Sequence, residues 1–451
     1  MNIIILGAGE VGRHLAESLS SRLHNIILIE QSEALADELN ELLDIHILCG
    51  NGSSVTTLAE ANTAECDLFL ALSSDDNTNL VSASLAKSLG AKKAIARVHG
   101  ALQREEWLFD YKAHFKIDYL FSSERLAAVE LAKFVRNPEC LLVEEIARGR
   151  VELQQVNISA TSPAAGKTLR EVGLPARVRV AAIQRHGLQT IPGANDQLLA
   201  GDLVTLFGDP NRLPEVRSLL HPESKQDRQL NVVIFGGGET GCALAQMLES
   251  GNYRVRIMEL DPKKCRELSD ILQNTVVING DATSLQQLRE EQVGQADFFI
   301  ATSRDDEDNV MTCLQAKSLG TKYTLALIHR ADYANVISRN STQLGIMGAV
   351  SPRVATSRDL MRFITSEKFH SVLTLGGGSE VLELLVSENC SAVGRKVAEL
   401  HWPEGSGLVA MLRGQEAMVP SAEDTILAGD TVYAMVSPSA REPMIKMLTD
   451  K

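Results

Sequence analysis

Short apolar runs and longer amphipathic stretches alternate along this chain. IIIL at 3–6, NIILI at 25–29, HILC at 46–49 and DLFLAL at 67–72 are separated by segments such as VGRHLAESLSSRL and TNLVSASLAKSLG, in which apolar residues return every three or four positions. Near-continuous apolar runs are what strands buried on both faces look like, and the longer period is that of helices laid against them. Strands alternating with helices build right-handed βαβ units, and so predict a doubly wound α/β fold with a parallel sheet. After DYLF at 118–121 the pattern changes. A helical stretch, ERLAAVELAKFVR, leads into VELQQVNIS, VRVAAIQR and DLVTLFG, which read as strands of a small α+β domain with a turn at His186-Gly187.

The whole pattern then occurs again. NIIILGAGEVG at 2–12 returns as NVVIFGGGETG at 231–241, IILIE ending at Glu30 meets VRIMEL with Glu259, and AKSLG at 86–90 is identical at 316–320. The small domain repeats as well: GKTLREVGLPARVRVAAIQRHG corresponds to GRKVAELHWPEGSGLVAMLRG, and both copies carry LAGD before their last strand. A repeat of this length is a duplicated pair of domains. Four parts are expected: a Rossmann domain at 1–122, a crossover helix with a small domain at 123–225, a second Rossmann domain at 230–351, and a second helix with its small domain at 352–451. HPESKQDRQ at 221–229 is the natural linker.

A chain of 451 residues with 44% hydrophobic and 23% charged residues has ample material for several cores. Its net charge of −14, with Lys and Arg interleaved among acids, argues against nucleic acid as a partner. The seven cysteines, at 49, 66, 140, 242, 265, 313 and 390, include no CxxC pair and imply a reducing compartment. No stretch nears the roughly 18 apolar residues of a membrane span, and the chain opens on an apolar strand without a basic region or cleavage site. A soluble cytoplasmic protein is expected, with no direct insertion into a membrane.

Gly7, Gly9 and Gly12 form GxGxxG between a strand and a helix, the context that a dinucleotide fingerprint requires. The first glycine allows the turn, the second lets backbone approach a pyrophosphate, and the third lets helix pack on strand, while the helix N-terminus attracts the anion. Glu30, 18 residues beyond Gly12, stands where an acid binds both ribose hydroxyls and disfavours a 2′-phosphate, so NAD is expected over NADP. The second copy has Gly236, Gly238, Gly241 and Glu259 in the same places. Ala8, Glu10 and Val11, with Gly237, Glu239 and Thr240, complete the two loops. Ligands of open α/β sheets lie beyond the carboxyl ends of the strands, which adds Asn51, Gly52, Ser73 and Ser74 in the first copy and Gly280, Asp281, Thr302 and Ser303 in the second. Ser74 and Ser303 have a simpler use too, as helix caps, with Asp75, Asp76, Asp305 and Asp306 complementing the dipole. Arg97 and Val98 end the fifth strand, and Arg97 is placed to reach a distal phosphate or to pair with a carboxylate; its counterpart is Leu327.

Catalytic equipment is missing. There is no HExxH, GxSxG or Walker motif, no tyrosine is followed by Lys four residues on, and His14, His24, His46, His99 and His114 read as scattered and not reproduced by the repeat. The run Asp305-Asp306-Glu307-Asp308 reads as a solvated helix start and not as a cation site. No catalytic residue and no metal is expected.

GAGEVG, Glu30 and SSDDNTNL, followed by GGGETG, Glu259 and TSRDDEDN and by two LAGD small domains, resemble the peripheral regulatory subunits of bacterial Trk potassium-uptake systems, TrkA type. The resemblance covers essentially the whole chain and departs in Leu327 and in Glu for Asp at the ribose positions. It implies tandem nucleotide-binding regulator-of-potassium-conductance domains, self-association into a ring, and a seat on the inner face of the membrane beside a membrane-embedded potassium transporter subunit. Binding of NAD(H), or of ATP and ADP as competitors, would then bias ring states. An NAD-dependent oxidoreductase and a regulatory subunit of a cation/proton antiporter are the alternatives.

Overall fold

The computed structural model describes residues 1–20, 24–105, 108–138, 140–147, 150–186, 188–222, 228–364, 369–374, 378–414 and 416–449. Gly187 of the expected turn and 223–227 of the expected linker lie outside these residues.

The chain forms two compact units, one of Met1–Val135 with Arg228–Ile364 and one of Arg136–Asp227 with Thr365–Lys451. The first unit holds two parallel sheets. In one, β1 (Asn2–Leu6), β2 (Asn25–Glu30), β3 (His46–Cys49), β4 (Leu68–Ala71), β5 (Lys93–Arg97) and β6 (Tyr119–Phe121) lie in the order β3-β2-β1-β4-β5-β6. β1 takes β2 on one side and β4 on the other, so the chain reverses its direction of winding there. That reversal opens the crevice used by ligands of doubly wound folds.

In the second unit of the sequence repeat, after β7 (Cys140–Ile146), β8 (Val151–Asn157), β9 (Val178–Arg185), β10 (Leu188–Thr190) and β11 (Leu203–Gly208), the chain returns to a parallel sheet. β12 (Leu230–Phe235), β13 (Tyr253–Glu259), β14 (Val276–Asn279), β15 (Phe298–Ala301), β16 (Tyr323–Leu327) and β17 (Gly348–Val350) reproduce the first order as β14-β13-β12-β15-β16-β17. The apolar runs are buried as their composition requires: Ile3, Ile5, Phe69, Leu70, Phe298 and Phe299 have no exposed surface. Each such side chain contributes about 1.5–3 kcal/mol on leaving water.

Two helices tie these sheets together by crossing over. The Ser123–Arg136 helix carries Ala127, Ala128, Leu131, Ala132 and Val135 on one stripe, and all five lie in a core with Val232, Ile234 and Ile257 of the later sheet. The Pro352–Ile364 helix does the converse: Leu360 and Ile364 are buried with Ile3, Ile5, Leu15 and Leu28 of the earlier sheet. Tyr119 donates its hydroxyl to Asp359 at 3.0 Å and its ring lies 5.0 Å from that of Phe363. Each helix thus covers the sheet of the opposite half.

The other compact unit contains the small domains. β7–β11 form an antiparallel sheet in the order β10-β9-β11-β8-β7. β18 (Phe369–Thr374), β19 (Glu380–Leu385), β20 (Ser406–Arg413), β21 (Glu416–Met418) and β22 (Thr431–Val436) form another, in the order β18-β19-β22-β20-β21. Leu153 and Phe207 of one share a core with Val381, Val409 and Tyr433 of the other. Both LAGD segments do the same work. Asp202, almost fully buried, accepts two hydrogen bonds at 2.7 Å from Arg185, and Asp430 accepts two at 2.8 Å from Arg413. The fold class is therefore the expected one, doubly wound parallel α/β with small α+β domains.

Candidate functional site

The first crevice lies where the carboxyl ends of β1 and β4 part. Gly7 there has φ +97°, and a Cβ on it would stand 2.9 Å from Ser73 Cα. A Cβ on Gly12 would meet the Gly7 carbonyl oxygen at 2.0 Å, because the Glu10–Ser20 helix packs directly on the turn. Gly9 is different: a Cβ there would meet nothing within 4 Å. Gly7 and Gly12 are demanded by the fold, whereas the bare backbone of Gly9 faces an open cavity of about 580 Å³.

Gly7, Gly9, Glu10, Val11, Glu30, Asn51, Gly52, Ser73, Ser74 and Arg97 line that cavity together. The Glu30 carboxylate holds the turn: Ala8 N–H donates to one oxygen at 2.8 Å and Ser32 N–H to the other at 2.9 Å. Asn51 Oδ1 accepts from Ser53 N–H at 2.9 Å and shapes the loop after β3. Val98 is fully buried in the core. Arg97 donates from Nη2 to Glu124 at 2.8 Å, and its buried Nε has no hydrogen-bond partner among the described residues. Burial works to raise the Glu124 carboxyl, but the Arg97 guanidinium, a backbone N–H and the Ser122 hydroxyl outweigh it and hold the group below the usual carboxylate range.

The second crevice repeats the plan. Gly236 has φ +96°, a Cβ on Gly241 would lie 2.1 Å from the Gly236 carbonyl oxygen, and Gly238 again faces open space. Glu259 accepts from Gly237 N–H at 2.7 Å and from Asp261 N–H at 2.9 Å. It is more buried than Glu30, at 8% exposure. Gly280 N–H donates to the Glu259 carbonyl at 3.0 Å, and Asp281 Oδ1 accepts from Thr283 N–H at 2.9 Å. Thr302 gives its hydroxyl to the carbonyls of Phe235 and Gly236, so that group braces the loop from beneath. Glu239, the first residue of the Glu239–Glu249 helix, accepts from Gly100 N–H of the first half at 3.0 Å, and Thr240 is buried. Leu327 is buried apolar core.

Comparison with known proteins gives the context. The TrkA-N domain matches residues 3–113 and 232–352, and the TrkA-C domain matches 153–221 and 381–448. The Trk system potassium uptake protein TrkA of Halomonas elongata is 32% identical over 448 residues, 97% of this chain and 96% of that protein. The protein of the same name from Haemophilus influenzae is 31% identical over 458 residues, 99% of this chain and 98% of its own. The chain belongs to the TrkA family of Trk potassium-uptake proteins. This places the TrkA-family chain among transport-system proteins and not among enzymes. Two solved structures share its fold at 20% identity: the GsuK RCK domain, with TM-score 0.60 over 99% of this chain and 94% of that one, and the GsuK channel bound to NAD, with TM-score 0.62 over 99% and 78%.

Several residues that build the TrkA-family crevices carry no sequence signal strong enough to single them out. Asn79 is fully buried and spans β4 and β5: Oδ1 accepts from Ser73 N–H at 2.9 Å, and Nδ2 donates to the carbonyls of Ser73 and Arg97, each at 2.9 Å. Asn309 makes the matching bonds to Ser303 and Leu327. Two expectations need correction. The helix caps are Asp75 and Asp305, which accept from Thr78 and Asp308 N–H at 2.7 and 2.8 Å, and not Ser74 and Ser303. The Asp carboxylate reaches one bond farther from the backbone than a Ser hydroxyl, and Ser303 instead gives its N–H to Asn309. Nor is His99 unmatched. His99 Nδ1 lies 2.8 Å from Asp76, and His329 Nδ1 lies 3.0 Å from Asp306, each Asp also accepting the histidine's backbone N–H. The pair recurs 230 residues on, one more than the spacing of the glycine loops, and this shift hides it.

No described helix is long and apolar enough to cross a membrane. Among the described residues no group of His, Cys, Asp or Glu could hold a metal ion.

Proposed function

We propose that this chain is the nucleotide-sensing regulatory subunit of a potassium-uptake system, acting on a membrane-embedded transporter subunit from the inner face of the membrane. NAD(H) is the ligand of its crevices, with ATP and ADP as competitors. The cavity beside Gly9 carries the proposal most directly. It has an unshielded backbone at a helix N-terminus for a pyrophosphate, an acid at the ribose position, and in Arg97 a buried N–H that lacks an acceptor. The residues present fit a phosphorylated adenine nucleotide. The family name supports potassium uptake as the process, and the NAD-bound GsuK channel offers a parallel in a protein of the same fold. In this proposal the Rossmann parts, 1–122 and 230–351, sense the ligand, the helices that open 123–225 and 352–451 pack on their sheets, and the chain self-associates into a ring.

The mechanism is a shift of populations, which requires that the ligand bind one state of the assembly more tightly than the other. Calorimetric titration of the purified chain with NADH, NAD, ATP and ADP tests the first step. Potassium uptake by cells whose only copy carries Gly9→Ala and Gly238→Ala tests the second. Absence of binding by all four nucleotides refutes the sensor, and uptake that ignores the double substitution refutes its regulatory use.

A further inference from the structure

Among the described residues two arginines line the first crevice, and of these Arg97 alone belongs to its own half. Arg353 stands at the start of the Pro352–Ile364 helix and lines the same cavity as Gly9. Its Nε donates to Glu10 Oε2 at 2.9 Å, and its Nη2 pairs with the other oxygen of that carboxylate. Glu10 is the first residue of the Glu10–Ser20 helix, so its carboxylate occupies the neighbourhood where the helix dipole favours an anion. The two partners are not equally fixed. The Glu10 side chain is 61% exposed and can turn into water, whereas that of Arg353 is 23% exposed and its helix is anchored by buried Leu360.

We propose that Arg353 is a phosphate ligand supplied by the second half to the first crevice, and that Glu10 holds its place until a nucleoside di- or triphosphate arrives. The inference rests on the nucleotide-binding function proposed above and extends it to a ligand class. A phosphate brings more charge and more acceptor oxygens than a carboxylate to the same planar fork, so it outcompetes an exposed glutamate. The ion pair is not a device that the duplication repeats. Glu124 occupies the position that matches Arg353, Leu327 the position that matches Arg97, and Glu239, which matches Glu10, accepts a backbone N–H of Gly100 and pairs with no cation among the described residues. The first crevice is thereby equipped for distal phosphates by both halves, and the second by neither matching position.

The test measures ATP and AMP affinities of the full chain in which Gly238→Ala blocks the second crevice. Arg353→Gln should weaken ATP by about tenfold to a hundredfold, the loss of a charge-assisted pair, and leave AMP nearly unchanged. Glu10→Gln should act in the opposite direction and tighten ATP, because the competing carboxylate is gone. A pair that serves only to hold the halves together moves both variants the same way, and that outcome overturns the inference. So does an unaltered ATP-to-AMP ratio in Arg353→Gln. Failure of the parent to bind any adenine nucleotide overturns the sensor proposal itself, and this inference with it.

Discussion

Replacing Gly9 by alanine separates folding from binding. A Cβ at Gly9 meets nothing within 4 Å, and Gly9 is not among the glycines with positive φ. The folded chain accepts the methyl, the unfolded chain loses conformational freedom, and stability should rise by about 0.4–1 kcal/mol. Binding should move the other way, because the methyl enters the space through which a pyrophosphate approaches the backbone N–H groups. Loss of those charge-assisted bonds, about 1.5–3 kcal/mol, corresponds to roughly tenfold to a hundredfold in affinity. Gly12→Ala is the contrasting variant. Its Cβ would sit 2.0 Å from the Gly7 carbonyl oxygen, so the helix must back away from the turn, at a cost of about 1–3 kcal/mol or more. Thermal unfolding and calorimetric titration of the same preparations check both quantities. Undiminished nucleotide affinity in a stably folded Gly9→Ala protein would refute the assignment of that backbone to the ligand. A loss of stability equal to that of Gly12→Ala would refute the distinction between the two glycines.

Three further outcomes follow from the fold. Leu360→Ala removes a fully buried side chain from the core of the opposite half and should cost about 2–5 kcal/mol, with hydrogen-exchange protection falling in Asn2–Leu6 and Glu10–Ser20; unchanged protection there would disprove the crossing-over of the helices. Asn309→Ala leaves the Ser303 N–H and two carbonyls without partners and should lower stability by about 2–4 kcal/mol, against which a denaturant midpoint equal to that of the parent would count decisively. Burial favours protonation of Asp306, but the His329 and Arg330 N–H groups and the His329 ring prevail and hold its carboxyl below the ordinary value of 3.8. The unfolded chain therefore binds that proton more readily, so the contribution is complete above about pH 4 and is lost as pH falls through the lower folded value. Asp306→Asn should flatten the acid limb of the stability profile, and an identical limb would show that the carboxylate is not held in its charged form.

The parallel sheets were legible because a strand covered on both faces must be apolar along its length, and because the turn at Gly7 admits glycine alone. Glu30 and Glu259 were legible for a similar local reason, the fixed distance along the chain from turn to second strand. β7 was not. CLLVEEI at 140–146 has no clean alternation, and its pairing with β8 decides its state. The crossing-over of the two helices is beyond periodicity altogether, since the stripe of Ala127, Leu131 and Val135 demands an apolar partner but does not say which sheet provides it. Arg353 escaped notice for that reason: it lies far from Gly9 in sequence and enters the crevice only because its helix belongs to the other half. Asn79 and Asn309 look like ordinary helix residues until the carbonyls they join are known.

The clasp made by the exchanged helices has an evolutionary consequence. If two identical chains embraced in this manner, rotation by a half-turn would map each crevice onto the other, and every substitution would be imposed on both. Placing the halves on one polypeptide lifts that restriction, and it also makes their association independent of dilution. Position 97 can then keep arginine while 327 becomes leucine, and 353 can be arginine while 124 remains glutamate. Broken symmetry, in a fold that retains its twofold plan, lets one protein hold two crevices with separately adjustable chemistry.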